Sequence, residues 1–351
     1  MLDLRLRIVA WRPPTIGCMR ILRGLPLTPS NRDTALAIGN FDGVHRGHQA
    51  LIDALKAHAR PRGLACAVMS FEPHPRHYFA QLAGKPEAAP RRISTLRDRL
   101  DALAAHGVDT TFLLRFNRAL AGMTAESFVR DLVVAACRAK FVMVGEDFRF
   151  GSKRAGDVYL LKRMGAELGF AVSTLSDVKE NGARISSSLV RDALEAGCMD
   201  LAAELLGRPY ALSGHVVHGA KLGRKLDFPT LNLRLPASER FGQPAARGIF
   251  VVQVHGLAPA PLPGVASLGL RPTVDESGRW LLETHLLDWQ GDAYGKIVRV
   301  ELLKKLRDEE KYDGLPALTA AIARDAAAAR AWFASAAASA QPDGAPRISQ
   351  G

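Results

Sequence analysis

The stretch Leu36-Ala-Ile-Gly-Asn-Phe-Asp-Gly-Val-His-Arg-Gly-His-Gln-Ala-Leu51 constrains the fold more than any other. A short apolar run stops at Gly39, a loop carries Asn40, Phe41, Asp42 and Gly43, and apolar residues recur at Leu51, Ile52 and Leu55 with helical spacing. That order is strand, turn, helix. His45 and His48, one turn apart, point to one side of the first helical turn, where unpaired backbone N–H groups and the helix dipole favour an anion. Gly39, Gly43 and Gly47 have no Cβ and let backbone approach phosphate closely. The same residues also fit hydrogen-bonded core histidines, a metal site made with Asp42, or glycines that only turn the chain. Spacing alone does not choose among these.

The following residues repeat the alternation. Residues 64–71 read as a buried strand that Glu72-Pro-His-Pro75 ends in a loop. Residues 96–106 have helical periodicity, 111–114 are strand-like, and Thr124 caps a helix with Glu126 in its first turn. A strand at 141–144, a helix around 157–168 and a strand at 171–175 follow. This pattern predicts an α/β domain with a doubly wound parallel sheet, whose ligands bind beyond the carboxyl ends of its strands. Gly145-Glu-Asp-Phe-Arg-Phe-Gly151 falls at such an end, with two aromatics able to stack on a flat ring and Asp147 able to accept hydrogen bonds, and equally reads as a loop whose aromatics only pack. Arg184-Ile-Ser-Ser-Ser-Leu-Val-Arg191 opens a further helix, capped by serine hydroxyls and stopped at Gly197. Arg184, Ser187, Ser188 and Arg191 suit a triphosphate, or a plain capped helix with solvated arginines.

The rhythm changes near Gly207 and Pro209. Short apolar runs at 212–217, 231–233, 249–254, 265–268, 281–287 and 297–303 have no long helices between them, which predicts a small antiparallel barrel. A helix over 315–333 is expected to bury Leu318, Ile322 and Trp332, and an Ala-, Ser- and Gly-rich tail over 335–351 to be disordered. The segment Gly219-Ala-Lys-Leu-Gly-Arg-Lys-Leu-Asp-Phe-Pro-Thr-Leu-Asn232 joins a basic glycine loop to a strand on which Thr230 and Asn232 face one side. Their oxygens suit magnesium held mainly by ATP phosphates, and equally an exposed strand face. Glu283 is the only acidic residue in the run 281–287.

Taken together, these motifs resemble the bacterial bifunctional riboflavin kinase/FMN adenylyltransferase (FAD synthetase) family. The string Gly-Asn-Phe-Asp-Gly-Val-His-Arg-Gly-His resembles the signature of its nucleotidyltransferase half, of the His-x-Gly-His type. Phe-Pro-Thr-x-Asn resembles its riboflavin kinase signature, and segments 264–274, 283–288 and 294–300 agree in order. The resemblance implies phosphorylation of riboflavin to FMN by ATP in the barrel and adenylylation of FMN to FAD, with release of pyrophosphate, in the α/β half. It implies His45 and His48 as catalytic groups, with Gly39, Asn40, Phe41, Asp42, Gly47, Arg184, Ser187, Ser188 and Arg191 around ATP and Asp147 and Phe148 at the flavin. In the kinase it implies Glu283 as general base, Gly219, Lys221, Gly223, Arg224 and Pro229 at ATP, and Thr230 and Asn232 on Mg2+. Ser188, Asp227 and Ser267 depart from the family's usual threonine, glycine and asparagine. The implied organisation is an extension without function at 1–18, a transferase domain at 19–204, a kinase domain at 205–334 and a tail at 335–351.

Charge and composition bound the alternatives. A net charge of +12 suits nucleotides and equally suits nucleic acid. Aromatics make up 7% of the chain and do not interleave with a basic stripe, which counts against a nucleic-acid reader. A riboflavin kinase that has lost its transferase activity is the nearer alternative, and the intact histidines argue against it. The four cysteines form no Cys-x-x-Cys pair, no apolar run reaches membrane-spanning length, and no Walker or complete dinucleotide-binding glycine motif occurs. A cytoplasmic enzyme with small-molecule partners, neither nucleic acid nor membrane, is expected; the oligomeric state stays open.

Overall fold

The computed structural model describes residues 19–24, 29–176, 178–180, 183–218, 228–235, 242–270 and 280–340. Its first half is a parallel sheet of β1 (Arg20–Arg23), β2 (Thr34–Ile38), β3 (Ala65–Glu72), β4 (Thr110–Arg115), β5 (Ala139–Gly145) and β8 (Ala171–Leu175), in the order β1-β4-β3-β2-β5-β8. Short pairs β6 (Arg149–Phe150) with β7 (Gly156–Asp157), and β9 (Lys179–Glu180) with β10 (Ala183–Arg184), lie in its loops. Helices α1 (Arg46–Ala59), α2 (Pro75–Leu82), α3 (Leu96–Ala105), α4 (Arg118–Ala121), α5 (Ala125–Ser127), α6 (Val158–Leu168), α7 (Ser187–Glu195) and α8 (Met199–Leu206) connect the strands or follow them.

The helices cover both sides of the sheet, so β2 is buried at every residue. Its alternate side chains feed two cores. Ala35 and Ala37 join Leu51, Ile52 and Leu55 of α1 and Leu103 of α3, while Leu36 and Ile38 join Phe128, Val129 and Val133 beyond α5 and Leu161 of α6. The doubly wound architecture is therefore as expected. The loop foreseen at Glu72-Pro-His-Pro75 is a tight turn directly into α2: Pro75 takes the first helical position, where a missing N–H is harmless, and His74 caps the helix by accepting from Arg76 N at 3.1 Å.

The second half is a closed antiparallel barrel of β11 (Tyr210–Val217), β12 (Thr230–Arg234), β13 (Gly248–His255), β14 (Leu262–Leu270), β15 (Trp280–Leu286) and β16 (Ile297–Arg307), in the order β11-β12-β15-β14-β13-β16. Along β15, Trp280, Leu282, Thr284 and Leu286 are buried while Leu281, Glu283 and His285 are half-buried, which puts Glu283 on the outer wall.

Helix α9 (Leu315–Ala340) lies across β13 and β14. Its buried face is Ala321, Asp325, Ala326 and Ala329, with Trp332 packed beside it. Leu318 and Ile322, expected at this contact, are only half-buried, because small alanines let the helix axis come close to the sheet. Asp325 holds Arg307 through two bonds of 2.6 and 3.0 Å. The helix also continues through 335–340, where disorder was expected; residues 341–351 lie outside those described.

Candidate active sites

The chain runs from β2 outward through β3 and β4 and then returns to add β5 and β8 on the other side, so the strand order reverses between β2 and β5. A crevice at such a reversal, beyond the carboxyl ends, is where open α/β sheets bind ligands. The two ends here carry the Gly39–His48 and Gly145–Gly151 loops, far apart in sequence.

The first loop is tightly wound. Phe41, Gly43 and Val44 have φ of 51°, 79° and 44°, a left-handed conformation that costs a β-branched residue such as Val44 most. Asp42 fixes it: its carboxylate, 1% exposed, accepts from Ile93 N at 3.2 Å, from Ser94 N and Oγ at 3.1 Å, and from Arg191 Nη2 at 3.0 Å. Burial pushes this carboxyl up, but Arg92 and Arg191 outweigh it and hold the group well below the usual carboxylate range. Asp42 and Arg191, foreseen on the phosphates, are thus engaged with each other behind the loop, because a buried carboxylate is stable only when paired. Phe41 is likewise fully buried, its ring 5.0 Å from that of His48. Gly47 is closely packed: a Cβ there would lie 3.1 Å from Ile185 O. The carbonyl of Asn40 accepts from Ser70 Oγ and Arg99 Nη1, both at 3.0 Å.

His45 caps α1 in extended conformation and His48 follows in its first turn. Their rings stack at 3.7 Å, and the Nδ1 of each is buried with no hydrogen-bond partner among the described residues. Burial lowers His45 to about 4, helped by Arg191 and against the pull of Asp42. Burial and His45 hold His48 well below its ordinary value. Both imidazoles are therefore neutral near pH 7.

Across the crevice, Asp147 and Arg184 form an exposed ion pair of 3.2 Å, which draws the start of the α7 segment to the β5 loop. Phe148 is half-buried and stacks at 5.5 Å on Phe150. Phe150 belongs to the core beneath, so one aromatic, not two, is available to a flat ring. Ser186 supplies the cap of α7, accepting from Leu189 N at 3.3 Å. Ser187 Oγ donates to Asp42 O at 3.5 Å, and Ser188 is exposed, lining with Arg76, Arg91 and Arg191 a cavity of about 410 Å³.

On the barrel, Glu283 pairs in register with Asn232 of β12 and Ser267 of β14, and Thr230 pairs with His285. Thr230, Asn232, Ser267 and Glu283 therefore share the outer face. Asn232 is 6% exposed, and its Oδ1 finds no partner among the described residues. Ser267 Oγ donates to Glu309 Oε1 at 2.9 Å, and the carbonyl of Pro229 lies 3.1 Å from His285 Nδ1. Gly219, Lys221, Gly223, Arg224 and Asp227, with residues 271–274, lie outside the described residues. Among the described residues no three His, Cys, Asp or Glu side chains gather as a metal site.

Comparison with known proteins decides the kinship. A FAD synthetase family model matches residues 27–189 and a riboflavin kinase family model residues 206–333. The bifunctional riboflavin kinase/FMN adenylyltransferase of Escherichia coli (strain K12) is 45% identical over 317 residues, covering 90% of this chain and 98% of that protein. That of Pseudomonas fluorescens is 42% identical over 314 residues, covering 89% and 97%. The chain belongs to the bifunctional riboflavin kinase/FMN adenylyltransferase family. The crystal structure of a macrolide-efflux protein from Streptococcus pneumoniae has the same fold, with a TM-score of 0.70 at 31% identity over 87% of this chain and 96% of that one. In this chain no helix among the described residues is long and apolar enough to cross a membrane.

In this member of the family the support behind the first loop was not evident from sequence. Glu72 accepts from Arg92 Nη2 at 3.0 Å and Arg99 Nη2 at 2.5 Å, both arginines fully buried. His74, lowered to about 3 by burial, stands nearby. Arginine in a loop, as Arg92, or on a helix, as Arg99, ordinarily reads as solvated, and only tertiary contacts show these to be internal.

Proposed function

We propose that the crevice between the β2 and β5 loops transfers the adenylyl group of ATP to FMN, and that the outer wall of β12, β15 and β14 phosphorylates riboflavin. One observation carries the first assignment: the reversal of strand order brings two neutral, partly unsatisfied imidazoles, a helix start, an Arg–Asp pair and a half-exposed aromatic to one crevice. A phosphate oxygen of FMN attacks the α-phosphorus of ATP, an O–P bond forms, and the bond to pyrophosphate breaks. The N–H groups at the start of α1, the imidazoles of His45 and His48 and the guanidinium of Arg184 are placed to stabilise the charge that develops. Phe148 and Asp147 are placed to hold the flavin ring.

In the barrel, Glu283 removes the proton of the terminal ribityl hydroxyl as its oxygen bonds to the γ-phosphorus of ATP and ADP leaves. The buried Oδ1 of Asn232, with no partner among the described residues, fits a hard cation beside Thr230. These two residues would hold magnesium, which supplies charge neutralisation to the phosphates when bound. A cytoplasmic setting accompanies this reading, since Cys66, Cys137 and Cys198 are free thiols.

Chromatography of the products from riboflavin, ATP and magnesium tests the proposal. FMN should appear first and FAD accumulate after it. Absence of either flavin from reactions of the folded protein would refute the corresponding assignment.

A further inference from the structure

The strained turn that delivers His45 is held from outside its own half. Helix α8 ends at Gly207, whose φ of 69° reverses the chain, and a Cβ there would come within 3.1 Å of Gln49 on α1. The next residue, Arg208, lies inside the segment matched as riboflavin kinase. Its guanidinium reaches back to the transferase loop: Nη2 donates to Gly43 O at 2.6 Å, and Nη1 to Val44 O at 3.2 Å and Leu206 O at 3.1 Å. Gln49 Nε2 crosses the same gap, donating to Val44 O and Leu206 O at 2.8 Å each. The two loop carbonyls among these three, those of Gly43 and Val44, belong to residues in left-handed conformation immediately before His45. Arg208 faces Asp98, Arg299 and Glu301; burial and Arg299 lower it to about 10, so it remains a cation.

We propose that Arg208, contributed by the kinase half, is a positioning residue for the transferase reaction. It touches no reacting atom. A planar fork can satisfy two successive carbonyls at once, whereas an ammonium acts as one compact donor. Without the fork, Gly43 and Val44 keep their left-handed geometry with less support, and His45 and His48 lose their register on the triphosphate. Adenylyl transfer in this fold therefore depends on a residue from beyond the segment matched as FAD synthetase, while phosphorylation on the barrel's outer wall does not depend on Arg208. The inference rests on assigning adenylyl transfer to the His45/His48 crevice. That assignment fails if the unaltered protein makes no FAD from FMN and ATP; the inference fails separately, through the variants.

The test compares Arg208→Ala and Arg208→Lys in the full chain, measuring FAD formation from FMN and FMN formation from riboflavin in the same samples. Arg208→Ala should lower kcat for FAD formation by roughly 10–10²-fold, the scale of a small misplacement of catalytic groups. FMN formation should be unchanged, and added guanidinium should restore FAD formation only. Arg208→Lys keeps the buried charge against Asp98 and Glu301 and so keeps the test open if the alanine variant does not fold; it should retain FMN formation and lose FAD formation. FAD formation within twofold of the unaltered protein in either folded variant, or a parallel fall of both activities, would overturn the proposal.

Discussion

His48 stands where burial and a stacked neighbour keep an imidazole uncharged, a placement suited to donating toward an anion that arrives later. His48→Ala should lower FAD formation from supplied FMN by ~10²–10³, the loss expected for one donor to developing charge, with FMN formation intact; an unchanged rate would return His48 to a packing role. The same burial links stability to pH. Unfolded histidines take up protons as pH falls through about 6.5, whereas in the fold His45 does so only near 4 and His74 only near 3. Between those values the unfolded chain binds more protons, so stability falls with pH, by up to ~1.4 kcal/mol per unit for each histidine. Asp101, pushed up to about 6 by burial and Asp98, acts in the opposite direction below that pH and offsets one of them. The melting temperature should still drop between pH 7 and 5. A flat or rising profile would mean that these imidazoles are charged in the fold. On the barrel, Glu283→Gln keeps the size of the side chain but not its basicity, so FMN formation should fall by ~10²–10⁴ while supplied FMN still becomes FAD. Rapid phosphorylation of riboflavin by that variant would remove Glu283 from its role as base.

Among the elements, the 41–44 turn is the most demanding. A Cβ on Gly43 would sit 2.6 Å from the Ile93 side chain at a φ of 79°, so Gly43→Ala should destabilise the fold by roughly 1–3 kcal/mol. Urea unfolding would measure this, and a midpoint equal to that of the unaltered protein would contradict the account of the turn. The strand, turn and helix around it were legible because apolar periodicity and helix-start signals are local. So was the shared face of Thr230 and Asn232, which follows from the two-residue repeat of a strand; that Glu283 lies on the same face follows only from the pairing of the strands. The inward turn of Asp42, Arg191 and Phe150 was not, since a motif names residue types and says nothing of which side chains the fold buries. On α9 Trp332 packs where expected but Leu318 and Ile322 do not, for a related reason: large apolar residues look like the core, yet Ala326 and Ala329 make the close approach.

For the whole molecule, the sequence marks a change of rhythm near Gly207 but not how far the core crosses it. Val190, Ala193 and Leu194 of α7 and Met199, Ala202 and Leu205 of α8 form one apolar cluster with Leu212, Phe250 and Leu302 of the barrel. The two family matches leave residues 190–205 between them, which is where this shared packing lies. A fragment starting at residue 186 should therefore melt higher than one starting at 201, which strips α7 from the barrel; both should make FMN and neither FAD, and equal melting temperatures would show that α7 adds nothing. FMN, made at one site and consumed at the other, is what joins two separate sites. This link is tested most directly by supplying riboflavin, ATP and magnesium to His48→Ala protein, Glu283→Gln protein and their mixture, and reading FAD by chromatography. Neither variant alone should make appreciable FAD, the first should accumulate FMN, and the mixture should make FAD. Rapid FAD formation by either variant alone, or none from the mixture, would contradict the account.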